Sequence, residues 1–431
     1  MFSFRRGKQL ADVEPPMPQV EVSEPEPELD VEVSLCVLQA SPDPERILQF
    51  LDVHLDEIEA RDCLGAARQL LGEAEGALAI DTWSPGSLAM LAGLRARLGS
   101  GDRRAGLESS VQLYGEALKR FEEAGEAEGA AIVRNNLGVT LVELAPFNPD
   151  YYREAIPFLE EALDYYREAS RNEGFRASIW MALGDAYCGL REEGPDRYHL
   201  ARDCFERAWS LFEREGDIAR HELGTAQGRL GDVQVALAAG GDGGSLEMAI
   251  RHYRNALAVF VDLDELDQCG RYHACLADAY IRLSDMEAEH LRKGIRAYVR
   301  ALEMFEQSGN ELAGAGVCME LAGLLQVTGE EGEPDLSAAV DYFLRALRLY
   351  GEEGNSTQRG QALRGLARIY LSNDIHSDPR DVQQAVGCLE EALRLGAADA
   401  DGEAYRAAHA ELTMARQLGS GLTPAVGEAA G

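Results

Sequence analysis

The hydrophobic positions of this chain follow the 3.6-residue period of amphipathic helices, and the same pattern recurs along most of its length. Its clearest copy runs from residue 180 to 187 and reads WMALGDAY. On a helix at about 100° per residue, Trp180, Leu183, Gly184 and Tyr187 form one stripe. Because a glycine lets a neighbouring helix approach closely, this stretch predicts a tight helix pair. The next predicted helix supplies the facing residues Ala201, Phe205 and Ala208.

The helix pair recurs seven times between residues 83 and 400. The second helix of each copy carries an alanine, at Ala117, Ala162, Ala208, Ala256, Ala301, Ala346 and Ala392. Three residues before each alanine stands an aromatic residue or a leucine: Tyr114, Leu159, Phe205, Tyr253, Tyr298, Phe343 and Leu389. The first helices align on a Leu-Gly or Leu-Ala pair, from Leu137-Gly138 to Leu366-Ala367. Agreement in so many copies predicts an internal structural repeat.

The pattern W-x2-L-G-x2-Y followed by A-x3-F-x2-A resembles the tetratricopeptide repeat (TPR) signature. The copies are about 45 residues apart instead of about 34, and are similar to the long repeats of kinesin light chains and of bacterial regulatory arrays. The resemblance implies an all-α fold, an α-solenoid in which antiparallel helix pairs stack into a right-handed superhelix. It also implies a concave groove that binds peptides, and therefore a scaffold or adaptor.

We expect five regions along the chain. Residues 1–43 are rich in Pro, Glu and Val and predict a disordered acidic segment, whereas 44–82 predict a divergent helical pair or cap. Residues 83–400 are the repeat array of about seven helix pairs. A capping helix is expected at 401–417, because the last repeat needs cover for its apolar face. Residues 418–431 are expected to be a disordered tail.

Turn residues punctuate this pattern. Ser84-Pro85 predicts a helix start, with serine as the cap and proline in the first turn. The turns that follow the second helices contain glycines predicted to end a helix in a left-handed conformation: Gly125, Gly174, Gly216, Gly309 and Gly354. The connections inside the pairs are rich in Pro, Gly and acids, among them Glu193 and Asp335. Equivalent loops of a solenoid share one edge, so these residues predict an acidic ridge there.

The charge of the chain restricts its partners. The 431 residues carry a formal net charge of −34, which disfavours nucleic acid and favours a protein or peptide with basic segments. The eight cysteines are scattered without a C-x2-C pair, which indicates reduced thiols and a cytoplasmic location. No apolar run approaches the length of a membrane span, so stable membrane insertion is not expected. Residues 1–8, with Phe2 and Phe4 among basic residues, are at most a weak surface contact.

A search for catalytic motifs predicts no active site, no cofactor and no metal site. Cys269-x3-His273-x-Cys275 is the one cluster with ligand residue types. On a helix, however, Cys275 points about 160° away from His273 and cannot complete the same site. We interpret His273 as a packed histidine in the position equivalent to Trp180. The chain is therefore predicted to be a binding protein and not an enzyme.

The predicted binding groove is the face of the first helices opposite the Leu-Gly stripe. A merely solvated face would be rich in Lys and Glu, whereas this one is small or apolar with isolated charges. The aspartates would bind Lys or Arg of a partner, and the last two arginines an acid or a C-terminus. The predicted groove residues are Asn135, Val139, Met181, Asp185, Asp232, Arg271, Asp278, Met319, Arg364 and Arg368.

Two other functions also fit the pattern. In an autoinhibited regulator, the acidic residues 20–33 would occupy the groove near Arg271, Arg282, Arg364 and Arg368. In a structural subunit, the open ends of the array would stack into a larger assembly. The sequence leaves the partner, the pathway and the oligomeric state open.

Overall fold

The computed structural model describes residues 44–60, 63–77, 83–98, 102–168, 173–238, 243–283, 288–328, 333–351, 356–372, 379–396 and 402–422. Within these ranges the chain forms seventeen α-helices and no β-strand, which confirms the all-α prediction. The predictions for residues 1–43 and 423–431 lie outside the described residues. None of the described helices combines the length and the apolar character needed to span a bilayer.

The chain divides into two compact units, the first ending at Ala219 and the second beginning at Arg220. In the first unit each α-helix packs on the next, and the helices α1, α3, α5 and α7 also contact one another in order. Its helices are α1 Pro44–Ala60, α2 Leu64–Ala77, α3 Pro85–Leu98, α4 Arg103–Ala124, α5 Ala127–Leu144, α6 Asp150–Glu168, α7 Glu173–Gly189 and α8 Asp196–Glu215.

The second unit repeats this arrangement, with each helix packed on the one that follows. Its helices are α9 Arg220–Leu237, α10 Gly243–Asp262, α11 Leu266–Leu283, α12 Ala288–Ser308, α13 Glu311–Val327, α14 Leu336–Leu349, α15 Ser356–Tyr370, α16 Pro379–Leu395 and α17 Glu403–Leu422. Helix α17 continues beyond the predicted end at residue 417, so the tail predicted for 418–431 is wrong over 418–422.

The core of both units lies where the sequence repeat places it. All seven alanines of the second helices are buried, and so are the seven bulky residues that precede them by three positions. A Cβ atom added at Gly184 would lie 2.4 Å from Phe205, and one added at Gly231 would lie 2.5 Å from Tyr253. Both distances are below any real Cβ contact, so only glycine allows the helices to approach this closely.

Trp180 and Tyr187 are less buried than the stripe predicts. Both side chains are partly exposed, whereas Leu183 and Gly184 between them are buried. The guanidinium group of Arg207 lies over the ring of Trp180, and its central carbon is 4.6 Å from the ring centroid. The large aromatic residue of the signature therefore lies at the rim of the helix pair instead of in its core.

The ends of the helices follow their capping residues. The hydroxyl of Ser84 accepts a hydrogen bond from the backbone N–H of Ser87 at 3.0 Å, so α3 begins where it was predicted. Gly125, Gly216 and Gly309 have positive φ. Gly125 adopts the predicted left-handed conformation, whereas Gly216 combines φ 66° with ψ −134° and does not. Gly174 does not end a helix, because it lies in the first turn of α7.

The turn after α14 differs from its prediction. Gly354 lies outside the described residues, and Gly351 has the positive φ there, 65°. Two residues of the predicted acidic ridge form hydrogen bonds with other residues of the chain. Glu193 accepts a hydrogen bond from Arg153 at 3.2 Å, and Asp335 caps α14 through the N–H of Ala338 at 3.0 Å. The ridge as a whole stays a prediction.

Replacing Asp335 with alanine is expected to lower the free energy of unfolding by about 1 kcal/mol, because the first turn of α14 loses its cap. Asp335→Asn keeps the Oδ1 acceptor and is expected to change stability by less than about 0.5 kcal/mol. Urea unfolding followed by circular dichroism measures both variants. An asparagine variant as unstable as the alanine variant would show that the charge, and not the cap, stabilises this turn.

Candidate functional site

The first unit contains a cleft of about 190 Å³ where α1, α3 and α5, the first helices of three consecutive helix pairs, lie side by side. Its floor is α3, whose residues Gly86, Ala89 and Gly93 recur one helical turn apart and leave little side-chain volume. Met90, Ile132 and Val133 add apolar surface to the walls. We name it the α1–α3–α5 cleft.

Four polar side chains line the α1–α3–α5 cleft: Asp52, Arg97, Tyr114 and Asn136. The guanidinium group of Arg97 is oriented by Asp56 of α1, to which its Nη2 donates a hydrogen bond of 2.7 Å. Partial burial raises the pKa of the Asp52 carboxyl, and the positive charge of Arg97 opposes this shift. The cleft therefore offers a half-buried carboxyl beside an arginine.

The hydroxyl of Tyr114 stays protonated at neutral pH. Burial raises the pKa of Tyr114, the charges of Asp52 and Glu143 raise it further, and a hydrogen bond with Asn136 opposes them. A neutral hydroxyl and an amide can both donate and accept hydrogen bonds, as the groups of a peptide backbone require. Apolar walls with a few convergent polar groups are typical of ligand-binding clefts.

The residues predicted for the groove of the first unit do not line this cleft. Asn135 is buried, and its Nδ2 donates to the Oδ1 of the neighbouring Asn136 at 3.2 Å. Val139, Met181 and Asp185 are half-buried on α5 and α7. The cleft lies one repeat earlier, because α1 and α3 take part in the first-helix face. Helix α3 carries the pair Leu91-Ala92 in register with Leu137-Gly138, whereas α1 lacks this landmark.

Asp52, Met90, Arg97 and Tyr114 are therefore the site residues that sequence reasoning missed. One signal was present in α3, where small residues recur at positions 86, 89 and 93. This periodicity resembles that of the small residues in later first helices. The contribution of α1 had no such signal, because its inward face reads as an ordinary apolar stripe.

In the second unit, two of the predicted groove aspartates bind tyrosines of their own helix pair. Tyr253 of α10 donates its hydroxyl hydrogen to Asp232 of α9, with an oxygen–oxygen distance of 2.8 Å. Tyr298 of α12 donates in the same way to Asp278 of α11. Burial raises the pKa of both tyrosines, and their aspartate partners raise it further, so both hydroxyls stay protonated.

Asp232 also lies between two arginines. Its Oδ2 is 3.8 Å from Arg229 and 3.9 Å from Arg271, and the guanidinium group of Arg271 also lies over the ring of Tyr272. Met319 is half-buried and packs against the core of the second unit. A basic partner predicted to bind Asp232 would therefore compete with Arg229 and Arg271 for its carboxylate.

Arg364 and Arg368, the predicted receptors for a partner's acid, bind a carboxylate of the same unit. Both donate to Glu411 of α17, with nitrogen–oxygen distances of 3.2 Å from Arg364 and 2.7 Å from Arg368. Partial burial disfavours the charged carboxylate, but these hydrogen bonds outweigh it and lower the pKa of Glu411. The last helix thus occupies the position expected for a partner.

The cysteine–histidine cluster of α11 is packed into the second unit. Cys269 is buried, and burial together with the charge of Arg300 lowers the pKa of His273, so its imidazole is neutral at pH 7. Burial raises the pKa of Cys275 to about 12. In the part of the chain that the structure describes, no three His, Cys, Asp or Glu side chains are arranged to hold a metal ion.

No protein-family model and no curated protein matches the chain. Similar solved structures include BtubC (BKLC) from P. vanneervenii, 18% identical over 58% of this chain and 94% of that one, with a TM-score of 0.44. Aspartyl phosphate phosphatase F from Bacillus subtilis is 13% identical over 90% of this chain and 98% of its own, with a TM-score of 0.49.

A third similar structure is the C-terminal part of a TPR repeat-containing protein from Cytophaga hutchinsonii. It is 15% identical over 72% of this chain and 99% of its own, with a TM-score of 0.43. Similarities at this level support no statement about activity. The described helices by themselves define an all-α protein built from consecutive helix pairs.

Proposed function

We propose that this chain is a protein-interaction module whose α1–α3–α5 cleft binds a segment of a partner protein. The observation that carries the proposal is the composition of the cleft, which joins an apolar floor to Asp52, Arg97, Tyr114 and Asn136. These groups suit a peptide whose backbone bonds the amide of Asn136, which the buried hydroxyl of Tyr114 orients, and whose basic side chain reaches Asp52. The proposed function is binding, with no catalytic step.

Met90→Glu is expected to weaken binding at least tenfold, about 1.4 kcal/mol, because it places a charge on the apolar wall of the cleft. The probe is a peptide selected from a phage-displayed library on the full chain, and fluorescence anisotropy measures its affinity. Met414→Glu is the matched control, because Met414 is 56% exposed in the second unit. A library that yields no binder, or a binder insensitive to Met90→Glu, would contradict the proposal.

The wider groove predicted along the later first helices remains part of this proposal for Met181, Asp185 and Met319. An assembly through the ends of the array stays a prediction, as does the cytoplasmic location. Sedimentation equilibrium tests the assembly, because a mass that does not change with concentration and equals one chain would exclude it.

A further inference from the structure

A second cleft of the first unit, distinct from the α1–α3–α5 cleft, is lined by arginines. It measures about 630 Å³ and is bounded by the end of α6, by α7 and by α8. Trp180 lies in it with four arginines, Arg167, Arg176, Arg207 and Arg214. The guanidinium carbons of Arg207 and Arg167 lie 4.6 and 5.8 Å from the centroid of the Trp180 ring. We name it the Trp180 cleft.

The Trp180 cleft carries an excess of positive charge. Its two carboxylates, Asp203 and Glu206, lie 3.1 and 3.7 Å from Arg202, which is not among the lining residues. Among the described residues, Arg207 forms no ion pair, and the buried Nε of Arg176 has no hydrogen-bond partner. Arg167 and Arg214 are already paired with Asp164 and Glu173, at 3.2 and 3.4 Å. In a chain of net charge −34, Arg176 and Arg207 are therefore the guanidinium groups of this cleft that can bind an anion.

The ring of Trp180 adds a second requirement for a ligand of this cleft, because the ligand must also offer apolar surface. A partly exposed indole between arginines can pack against proline or aliphatic side chains while the guanidinium groups bind carboxylates. The chain contains one segment with both features. Residues 20–33 read VEVSEPEPELDVEV, with six carboxylates, two prolines, four valines and no Lys or Arg.

We propose that residues 20–33 of this chain bind in the Trp180 cleft. The reach is sufficient within one molecule. Helices α1, α3, α5 and α7 contact one another in order, so α1 and α7 are roughly 30 Å apart at 8–10 Å per step. Residues 34–43, which connect the segment to α1, can span up to about 35 Å.

This proposal changes the site predicted for self-binding and does not depend on the proposed function of the α1–α3–α5 cleft. The sequence placed residues 20–33 near Arg364 and Arg368, but those arginines bind Glu411. Arg207, by contrast, contacts an aromatic ring and forms no ion pair with a carboxylate of the described chain. The acidic segment supplies the missing carboxylates.

The test uses the full chain and a fluorescent synthetic peptide of residues 20–33. In a tail-neutral variant, the six acids of that segment are replaced by Asn or Gln, so the attached segment no longer competes. We expect the peptide to bind the tail-neutral variant at least tenfold more tightly than the unaltered chain. Arg207→Glu in the tail-neutral background should abolish this binding, and added salt should weaken it.

Arg300→Glu is the matched control, because Arg300 also precedes a repeat alanine, in the second unit, and it should leave binding unchanged. On the same tail-neutral chain, a peptide with its acids replaced by Gln should not bind, and this comparison needs no substitution in the described helices. Equal binding to the unaltered and tail-neutral chains would overturn the proposal. So would binding that survives Arg207→Glu, or equal affinity for polyglutamate of the same length.

Discussion

Replacing Gly184 with valine is expected to lower the free energy of unfolding by about 3 kcal/mol. A Cβ atom at this position would lie 2.4 Å from the ring of Phe205, which is fully buried and cannot move without disturbing α8. Overpacking of this kind costs about 1–3 kcal/mol, and the two valine methyl groups place it at the upper end. Urea unfolding monitored by circular dichroism measures the loss.

Gly115→Val is the matched control for Gly184→Val. Gly115 lies in the middle of α4, and an added Cβ atom would meet nothing within 4 Å. The change there should stay within about 0.5 kcal/mol, because valine favours a helix slightly more than glycine does. Equal losses at both positions would show that the effect does not arise from the close approach of α7 and α8.

Replacing Glu411 with alanine is expected to lower the free energy of unfolding by about 2 kcal/mol. The substitution removes hydrogen bonds from two arginines and leaves Arg364, which is only 16% exposed, without its carboxylate. The figure lies below that of a fully buried pair because Arg368 is 56% exposed. Glu390→Ala is the control, because Glu390 of α16 forms an exposed ion pair with Arg416 of α17 and its loss should cost less than about 0.5 kcal/mol.

The contribution of Glu411 also depends on pH. Its pKa is lowered in the folded chain, so the stabilisation is complete above the unfolded pKa of about 4.3 and is lost as pH falls through the folded pKa. Unfolding measured from pH 7 to pH 3 should therefore bring the unaltered chain and Glu411→Gln together in acid. A constant difference across that range would contradict the charge-assisted hydrogen bonds.

The aspartates of the predicted groove show why a face can be predicted more easily than its function. Asp232 and Asp278 lie on the predicted helices, but each accepts a hydrogen bond from a tyrosine. Tyr253 and Tyr298 were predicted as core residues, and their hydroxyl groups were not matched with acids. Where the tyrosine is replaced by Leu159 or Phe343, the aspartate is replaced by Val139 or Gly323. Two pairs depart from this correspondence: Asp185 faces Phe205, which has no hydroxyl group, and Tyr114 faces Gly93.

Periodicity and spacing in the sequence were enough to predict the helices, their pairing and most buried residues of each pair, with Trp180 and Tyr187 as partly exposed exceptions. Helix period, small residues and capping residues act over short distances, so Gly184 and Phe205 could be matched from their spacing alone. The contacts of the long polar side chains were decided only by the tertiary structure. Arg207 of α8 lies on Trp180 of α7, and Arg364 of α15 binds Glu411 of α17. Tertiary packing thus brings together residues 27 and 47 positions apart, which no local pattern specifies.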